Sequence, residues 1–453
     1  MQLLSSRSTL WLTFTVDYGK PHCQRCEKAG FNCEGYVAFA EFVDETTRFS
    51  KNKPPIKSGQ LQLQMVHKPS KAFHQQDHHP SRPLINENDI IHAHLLSKID
   101  EVRPLLMNLE SVPSSSSTRS LAVRALAAVY FGKVHSDKRV YDLGTRDYVK
   151  ALKSVHASLA SATAVLEWDT LVGVLCLCMF ENIALTNKDG WFRHYEGITQ
   201  LVKLRGPWRH QTPLDRELLR QCRFQNIVCA LVKRCHCYLA SPEWQTIPWP
   251  ASVPKNASDT LHDIFARVPG HLCDMDRLER GEIDEEFSQN LRQRVEMTLS
   301  DLEDWEQDHH HPRPLSGDLL SPTSDSGAVH SVRDKALLAL QRAIILCMTR
   351  LCTDLKIPLI AELPFTFENR QAIATAIANE ICQLARSCIG YESPGIEPLL
   401  FIFPLQIASM NLEAESPEDN LAKEVMNDVI ADTHGFEIGR KRDLRSFTEH
   451  RVE

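Results

Sequence analysis

Three cysteines near the amino terminus have the spacing of metal ligands. Cys23, Cys26 and Cys33 form a C-x2-C-x6-C pattern within eleven residues. In a CxxC pair two sulfurs reach one ion from a single turn, and a third nearby thiolate continues the coordination shell. The triplet therefore predicts a structural zinc site, for which a fourth ligand has to come from His22, water or another chain. A chance cluster of surface thiols is the alternative that spacing alone leaves open.

The residues around these cysteines extend the pattern beyond the three sulfurs. Segment 17–36 reads DYGKPHCQRCEKAGFNCEGY, with Pro21 before the first cysteine and Gly35-Tyr36 after the third. It closely resembles the second half of the six-cysteine zinc binuclear cluster of fungal transcription factors. The resemblance implies structural zinc as cofactor, DNA and transcriptional co-regulators as partners, homodimer formation and a location in the nucleus.

The first half of that cluster has no counterpart in this sequence. No cysteine lies between Met1 and His22, so three of the six ligands are absent, together with the basic helix that would read bases. We expect residues 1–16 to be an intron-derived or wrong-exon start joined at Asp17. The candidate DNA-contacting residues of the remaining half are Lys20, Arg25 and Lys28. Three acidic residues balance them, so counterion release adds little, and we expect backbone phosphate contacts at most and impaired DNA binding.

A second, looser resemblance covers most of positions 118–411. Several short segments are similar to helices of the fungal-specific transcription factor regulatory domain. These segments are 121–130, 169–171, 189–191 with His194 and Gly197, 204–207, 385–386 and 403–405 with Ala408. Together the two resemblances imply a sequence-specific fungal regulator of RNA polymerase II transcription. The alternative is a helical regulatory or interaction protein, derived from that family, that does not bind DNA.

Composition indicates the class of protein to which the chain belongs. The chain has 453 residues, 43% of them hydrophobic, and a formal charge of −7, typical of a globular protein and not of one basic throughout. No apolar run reaches the ~18 residues of a membrane span. The apolar stretch 170–180 predicts a buried core helix instead, and no membrane partner is expected.

Apolar residues at helical spacing recur from residue 86 onward and predict an all-α fold. The predicted helices are 88–102, 117–130, 146–164, 170–185, 191–204, 213–240, 258–268, 283–305, 332–355, 369–389 and 417–430. The predicted organisation is an atypical start (1–16), a partial zinc cluster (17–36), a linker (37–85) and a helical regulatory domain (86–447). A His-, Pro- and Ser-rich disordered loop is expected near 307–334.

Other reactive residues are predicted to have structural roles. No phosphate-loop, dinucleotide, zinc-protease or nucleophile-elbow motif is present, so no enzyme is expected. The fragment Cys235-His236-Cys237 looks like part of a metal site. However, Cys222, Cys229 and Cys237 follow heptad-like spacing and are predicted to be core residues, as are Cys176 and Cys178. His194 and Glu196 are expected to have surface or capping roles. The basic run 439–442 is read either as an aid to nuclear import or as a solvated helix end.

Overall fold

The described part of the chain is helical. The computed structural model describes residues 86–98, 117–187, 189–282, 285–309, 331–358, 367–390 and 397–441, all within the unit Arg48–Glu453. No strand occurs in these ranges, which confirms the predicted all-α class. The α-helices are α1 Glu87–Lys98, α2 Thr118–Val134, α3 Lys138–Leu159, α4 Trp168–Ala184, α5 Gly190–Arg205, α6 Pro213–Lys233, α7 Pro242–Thr246, α8 Ala257–Phe265, α9 Val268–Glu279, α10 Glu285–His309, α11 Val332–Asp354, α12 Phe367–Cys388, α13 Glu397–Ser409 and α14 Pro417–Lys423. A π-helix, Glu424–Thr433, continues α14, and 3₁₀ turns occupy Ala164–Leu166, Pro207–His210, Tyr238–Ala240 and Glu437–Gly439.

Side-chain caps fix where several helices begin. The Ser117 hydroxyl accepts a hydrogen bond from the backbone N–H of Ser120 at 3.1 Å at the start of α2. Ser331 and Asp334 form a reciprocal capping box at the start of α11. Such caps satisfy backbone donors that have no partner inside the helix, and each typically contributes about 1 kcal/mol.

The amino-terminal group of helices, α1–α6, is organised around α2, which packs on α3 and α4. Two glycines allow α2 and α3 to approach closely. A Cβ atom at Gly144 would lie 2.7 Å from the backbone nitrogen of Val129, and one at Gly132 would lie 2.5 Å from that of Tyr141. Backbone atoms therefore occupy the space that any larger side chain would need.

The carboxy-terminal group, α11–α13, is centred on α11, which packs on α12 and α13. Of the helices that the structure describes, only α11 is long and apolar enough to cross a membrane by length and composition. However, 72% of its apolar window is buried against the rest of the fold, as in a core helix. The 3₁₀ turn Glu437–Gly439 returns to α4 and joins the two groups.

Several helix boundaries differ from the predicted ones. Helix α6 ends at Lys233 and not at residue 240, because Arg234 takes a left-handed conformation (φ 51°) that terminates the helix. Helix α9 was not predicted; its Pro269 and Gly270 disfavour a helix interior but lie in the first turn, where proline is tolerated. Helix α10 continues to His309, so the loop predicted from residue 307 begins later, and residues 310–330 lie outside the described part.

The described part of the basic run, residues 439–441, packs into the fold and is not a solvated helix end, whereas Arg442 lies outside the described residues. Gly439 is buried, and Arg440 bonds to Asp432 and Glu437. Lys441 pairs with Asp419, whose side chain is 2% exposed. Burial alone raises the pKa of Asp419, but hydrogen bonds from Lys441 and Lys423 outweigh it and lower the pKa to about 2.

Candidate functional site

A cavity of about 2150 Å³ lies between the two helix groups. Its walls come from α4, α5 and α6 of the amino-terminal group, from α11 and α13 of the carboxy-terminal group, and from α8 and α9, which lie between these groups in the chain. Ligand pockets in proteins usually measure about 300–1000 Å³, so this space is large enough for a bulky ligand with room to spare.

Aromatic and aliphatic side chains cover much of the cavity wall. Phe224 of α6 and Phe403 of α13 both line the cavity and contact each other edge to face, with ring centroids 5.5 Å apart. Val232 and Leu400 also line the cavity and are 38% and 41% exposed, unusually high for large aliphatic residues in this protein. An apolar surface left open to solvent in a concave site favours binding of an apolar molecule.

Two amide oxygens at the cavity have no hydrogen-bond partner among the described residues. They are Oδ1 of Asn182 on α4 and Oε1 of Gln406 on α13, both buried. The Gln406 amide nitrogen, in contrast, donates to the carbonyl oxygen of Arg440 at 3.0 Å. A buried acceptor without a donor costs roughly 1–3 kcal/mol, so a ligand that supplies a donor would regain that energy.

The charged residues of the cavity wall are engaged with one another. Arg220 donates to Asp259 at 2.8 Å and to Glu217 at 3.3 Å. Arg350, at the surface, pairs with Glu279 at 3.2 Å. Because these cations already have carboxylate partners, the wall offers little unpaired charge to a strongly anionic ligand.

A buried polar cluster lies near α4 but does not line the cavity. The Tyr148 hydroxyl donates to Glu181 at 2.7 Å and lies 3.1 Å from Nε2 of His194. Burial lowers the pKa of His194 to about 4, so its ring is neutral at physiological pH. The predicted surface or capping role of His194 is therefore wrong. Since Glu181 is 1% exposed and also holds Thr186, the cluster fastens α3, α4 and α5 together and offers no access to a substrate.

The predicted metal and DNA-contacting residues cannot be placed in this fold. Cys23, Cys26, Cys33, Lys20, Arg25 and Lys28 all lie outside the described residues, as do the segments 1–16, 17–36 and 37–85. The predicted core cysteines are confirmed: Cys176, Cys178, Cys222, Cys229 and Cys237 are buried. Cys235 is exposed, and His236 lies beside two residues of α9, which the sequence did not indicate.

The cavity was not predicted from the sequence. Its wall draws residues from seven helices and a turn, spread between positions 175 and 438, and no short motif contains more than a few of them. The exposed aliphatic residues at 232 and 400 follow the same helical periodicity as core residues. Only the packing of α6 against its neighbours leaves them uncovered.

Comparisons with known proteins identify the domain. The family model for the fungal specific transcription factor domain matches residues 112–436, and no zinc-cluster domain is detected. A 134-residue region is 34% identical to an uncharacterized protein of Emericella nidulans, covering 30% of this chain and 29% of that protein. The chain thus spans less than a third of that relative's length, and no solved structure matches. Because the family match covers well over half of the chain and includes most of α2–α13, the chain belongs to the fungal specific transcription factor domain family.

Proposed function

We propose that the chain is a nuclear, sequence-specific regulator of RNA polymerase II transcription, derived from the zinc binuclear cluster family. The observation that carries the proposal is the order of the two features. A half zinc-cluster motif at 17–36 precedes a fungal specific transcription factor domain at 112–436. The family domain implies a transcription regulator that functions in the nucleus and is typically not an enzyme.

In this proposal the half-motif supplies only three of the six zinc ligands, Cys23, Cys26 and Cys33. The zinc site is therefore incomplete, and DNA binding is impaired. Lys20, Arg25 and Lys28 contribute contacts to phosphates at most. Homodimer formation and contacts with transcriptional co-regulators would then depend on the helical domain. The balanced charge of segment 17–36 favours the alternative, a regulatory or interaction protein that does not bind DNA.

A gel-shift assay tests the DNA binding of this chain. The full chain is mixed with a duplex containing a CGG half-site, with and without a zinc chelator. We expect no shift that depends on both the CGG sequence and zinc. A specific, zinc-dependent shift that disappears in the Cys26→Ser variant would refute the impaired binding and favour a functional zinc module.

The cavity is the proposed site of regulation, and its ligand is an apolar molecule that carries a hydrogen-bond donor. This assignment rests on the open aliphatic residues of the wall and on the two buried amide oxygens without donors. A ligand in this space touches both helix groups. It would therefore bind preferentially when the two groups are packed together, and so stabilise their association.

A fluorescent apolar probe tests the cavity directly. We expect the folded full chain to bind N-phenyl-1-naphthylamine, an uncharged apolar fluorophore with one N–H donor. A Val232→Asp, Leu400→Asp variant should bind it at least several-fold more weakly, because charged groups replace the exposed aliphatic wall. Met297→Asp is the matched control, since Met297 is 56% exposed but does not line the cavity. Equal probe binding by wild type and the Val232→Asp, Leu400→Asp variant would exclude the cavity as the binding site.

A further inference from the structure

Three potential metal ligands meet where the turn after α6 touches α9. They are His236, Cys273 and Asp274, and their ligand atoms all lie within 4.8 Å of one another. Nε2 of His236 is 2.9 Å from Oδ1 of Asp274. The imidazole is 59% exposed and Asp274 is 2% exposed, so the cluster has a buried base and an open side.

The local fold aims the imidazole at this cluster. Arg234, in its left-handed conformation, turns the chain after α6 and binds Asp276 on α9, with its Nε 2.8 Å from Oδ2. His236 is thereby brought onto the first turns of α9. A Cβ atom at Gly270 would lie 2.9 Å from Nδ1 of the imidazole, so the ring occupies space that only glycine leaves open. With Nδ1 against Gly270, Nε2 faces the cysteine and the aspartate.

The buried carboxylate is also held as carboxylate ligands usually are. Nη2 of Arg294, on α10, lies 2.9 Å from Oδ2 of Asp274, and Nη1 of Arg277 lies 3.7 Å from Oδ1. The Arg294 contact fixes the orientation of the carboxylate and leaves Oδ1 facing His236. Metal-binding carboxylates are commonly oriented by such a hydrogen bond from outside the coordination shell.

We propose that His236, Cys273 and Asp274 form a zinc site with three protein ligands and a water molecule in the fourth position. One nitrogen, one sulfur and one oxygen donor match the ligand types of zinc, and ligand atoms in a tetrahedral zinc site are roughly 3–4 Å apart. On binding, the Cys273 thiol loses its proton to solvent as the Zn–S bond forms. The ion would connect the turn after α6 to α9, at the edge of the cavity that Cys273 lines.

The simpler interpretation is a His–Asp contact that needs no metal. That contact accounts for two of the three side chains and does not involve Cys273. The zinc site accounts for all three and predicts a bound metal that depends on a thiolate. The two interpretations therefore differ in a measurable property.

Cobalt substitution tests the site in the full chain with Cys23, Cys26 and Cys33 changed to Ser, which removes the amino-terminal cysteines. We expect one Co²⁺ per chain, with a near-ultraviolet sulfur-to-cobalt charge-transfer band that zinc abolishes. His236→Gln and Cys273→Ser should each weaken zinc binding by at least about 100-fold, more than the loss of a residue outside the coordination shell. The charge-transfer band distinguishes this site from histidine-rich segments, which bind through nitrogen alone.

Cys235→Ser is the matched control, because this exposed cysteine adjoins His236 but is not one of the three ligands. It should leave the band and the affinity unchanged. Loss of the band in Cys235→Ser, or its persistence in Cys273→Ser, would refute the proposed ligand set. Absence of any thiolate–cobalt band in a chain whose circular dichroism shows the native helical content would refute the site altogether. Neither result bears on the transcriptional function, which the gel-shift assay tests separately.

Discussion

Replacement of Arg342 by Met should destabilise the helical domain more than any exposed charge substitution. The guanidinium is 3% exposed and lies at the junction of three helices. It binds both oxygens of Glu306 on α10, at 2.6 and 2.7 Å, and Oε2 of Glu380 on α12 at 2.9 Å. Burial lowers the pKa of Arg342, but these carboxylates outweigh it and raise the pKa, so the side chain is charged in the folded state.

Without Arg342, two largely buried carboxylates face each other with no cation between them. Breaking a buried ion pair by removing one partner typically costs about 3–5 kcal/mol, and we expect a loss in that range in the free energy of unfolding. Urea titration followed by far-ultraviolet circular dichroism at pH 7.5 measures it. Arg350→Met on the same helix is the matched control, because Arg350 is 78% exposed and its surface pairs should contribute about 0–1 kcal/mol.

A second comparison separates lost charge pairing from lost packing. The triple variant Arg342→Met, Glu306→Gln, Glu380→Gln removes the two stranded charges. It should recover part of the stability that Arg342→Met loses, since neutral amides require no cation. A loss of less than about 1 kcal/mol in Arg342→Met, or a triple variant less stable than the single one, would refute this account.

Three further predictions test other parts of the fold. Asp419→Asn should lower the free energy of unfolding at pH 6. The difference from wild type should shrink as the pH falls from about 4 to 2. The reason is that the pKa of Asp419 is depressed in the folded state, so its stabilising contribution is lost as the carboxylate gains a proton. Gly144→Ala should lower the free energy of unfolding by about 1–3 kcal/mol. Gly390→Ala, where no atom of the described residues lies within 4 Å of the new methyl group, should change it by less than about 0.5 kcal/mol. A maleimide pulse read by mass spectrometry should modify the exposed Cys235 in the native protein. Cys176 should stay unmodified until urea unfolds the chain, because it is buried and burial raises the pKa of its thiol to about 12.

The sequence predicted the helical class and the core cysteines because both depend on local periodicity. Cys176 and Cys178 lie in an apolar run that no solvent-facing helix would carry, and both are buried. The sequence failed where a single backbone angle decides the outcome. The residue type of Arg234 does not predict a positive φ, yet that backbone angle ends α6 and places His236 against α9.

Long-range packing limited the prediction of polar roles in the same way. His194 has an ordinary pattern on α5, and only the approach of α3 brings the Tyr148 hydroxyl to it. Arg440 and Lys441 are similar, since the sequence suggests solvated charges and only the fold places Asp432 and Asp419 beside them. Buried ion pairs form between residues distant in sequence, so charge patterning along the chain cannot reveal them.

The position of the cavity explains how a helical domain of this kind would respond to a ligand. Its two walls belong to helix groups joined mainly through α6, α9 and the returning turn Glu437–Gly439. A ligand between the groups stabilises only the arrangement in which both walls contact it, and the shift cannot exceed its difference in affinity for the two arrangements. Regulation would therefore act on the association of the groups and leave each group's own core intact. Probe binding should then raise the unfolding midpoint of the wild type and leave that of the Val232→Asp, Leu400→Asp variant unchanged.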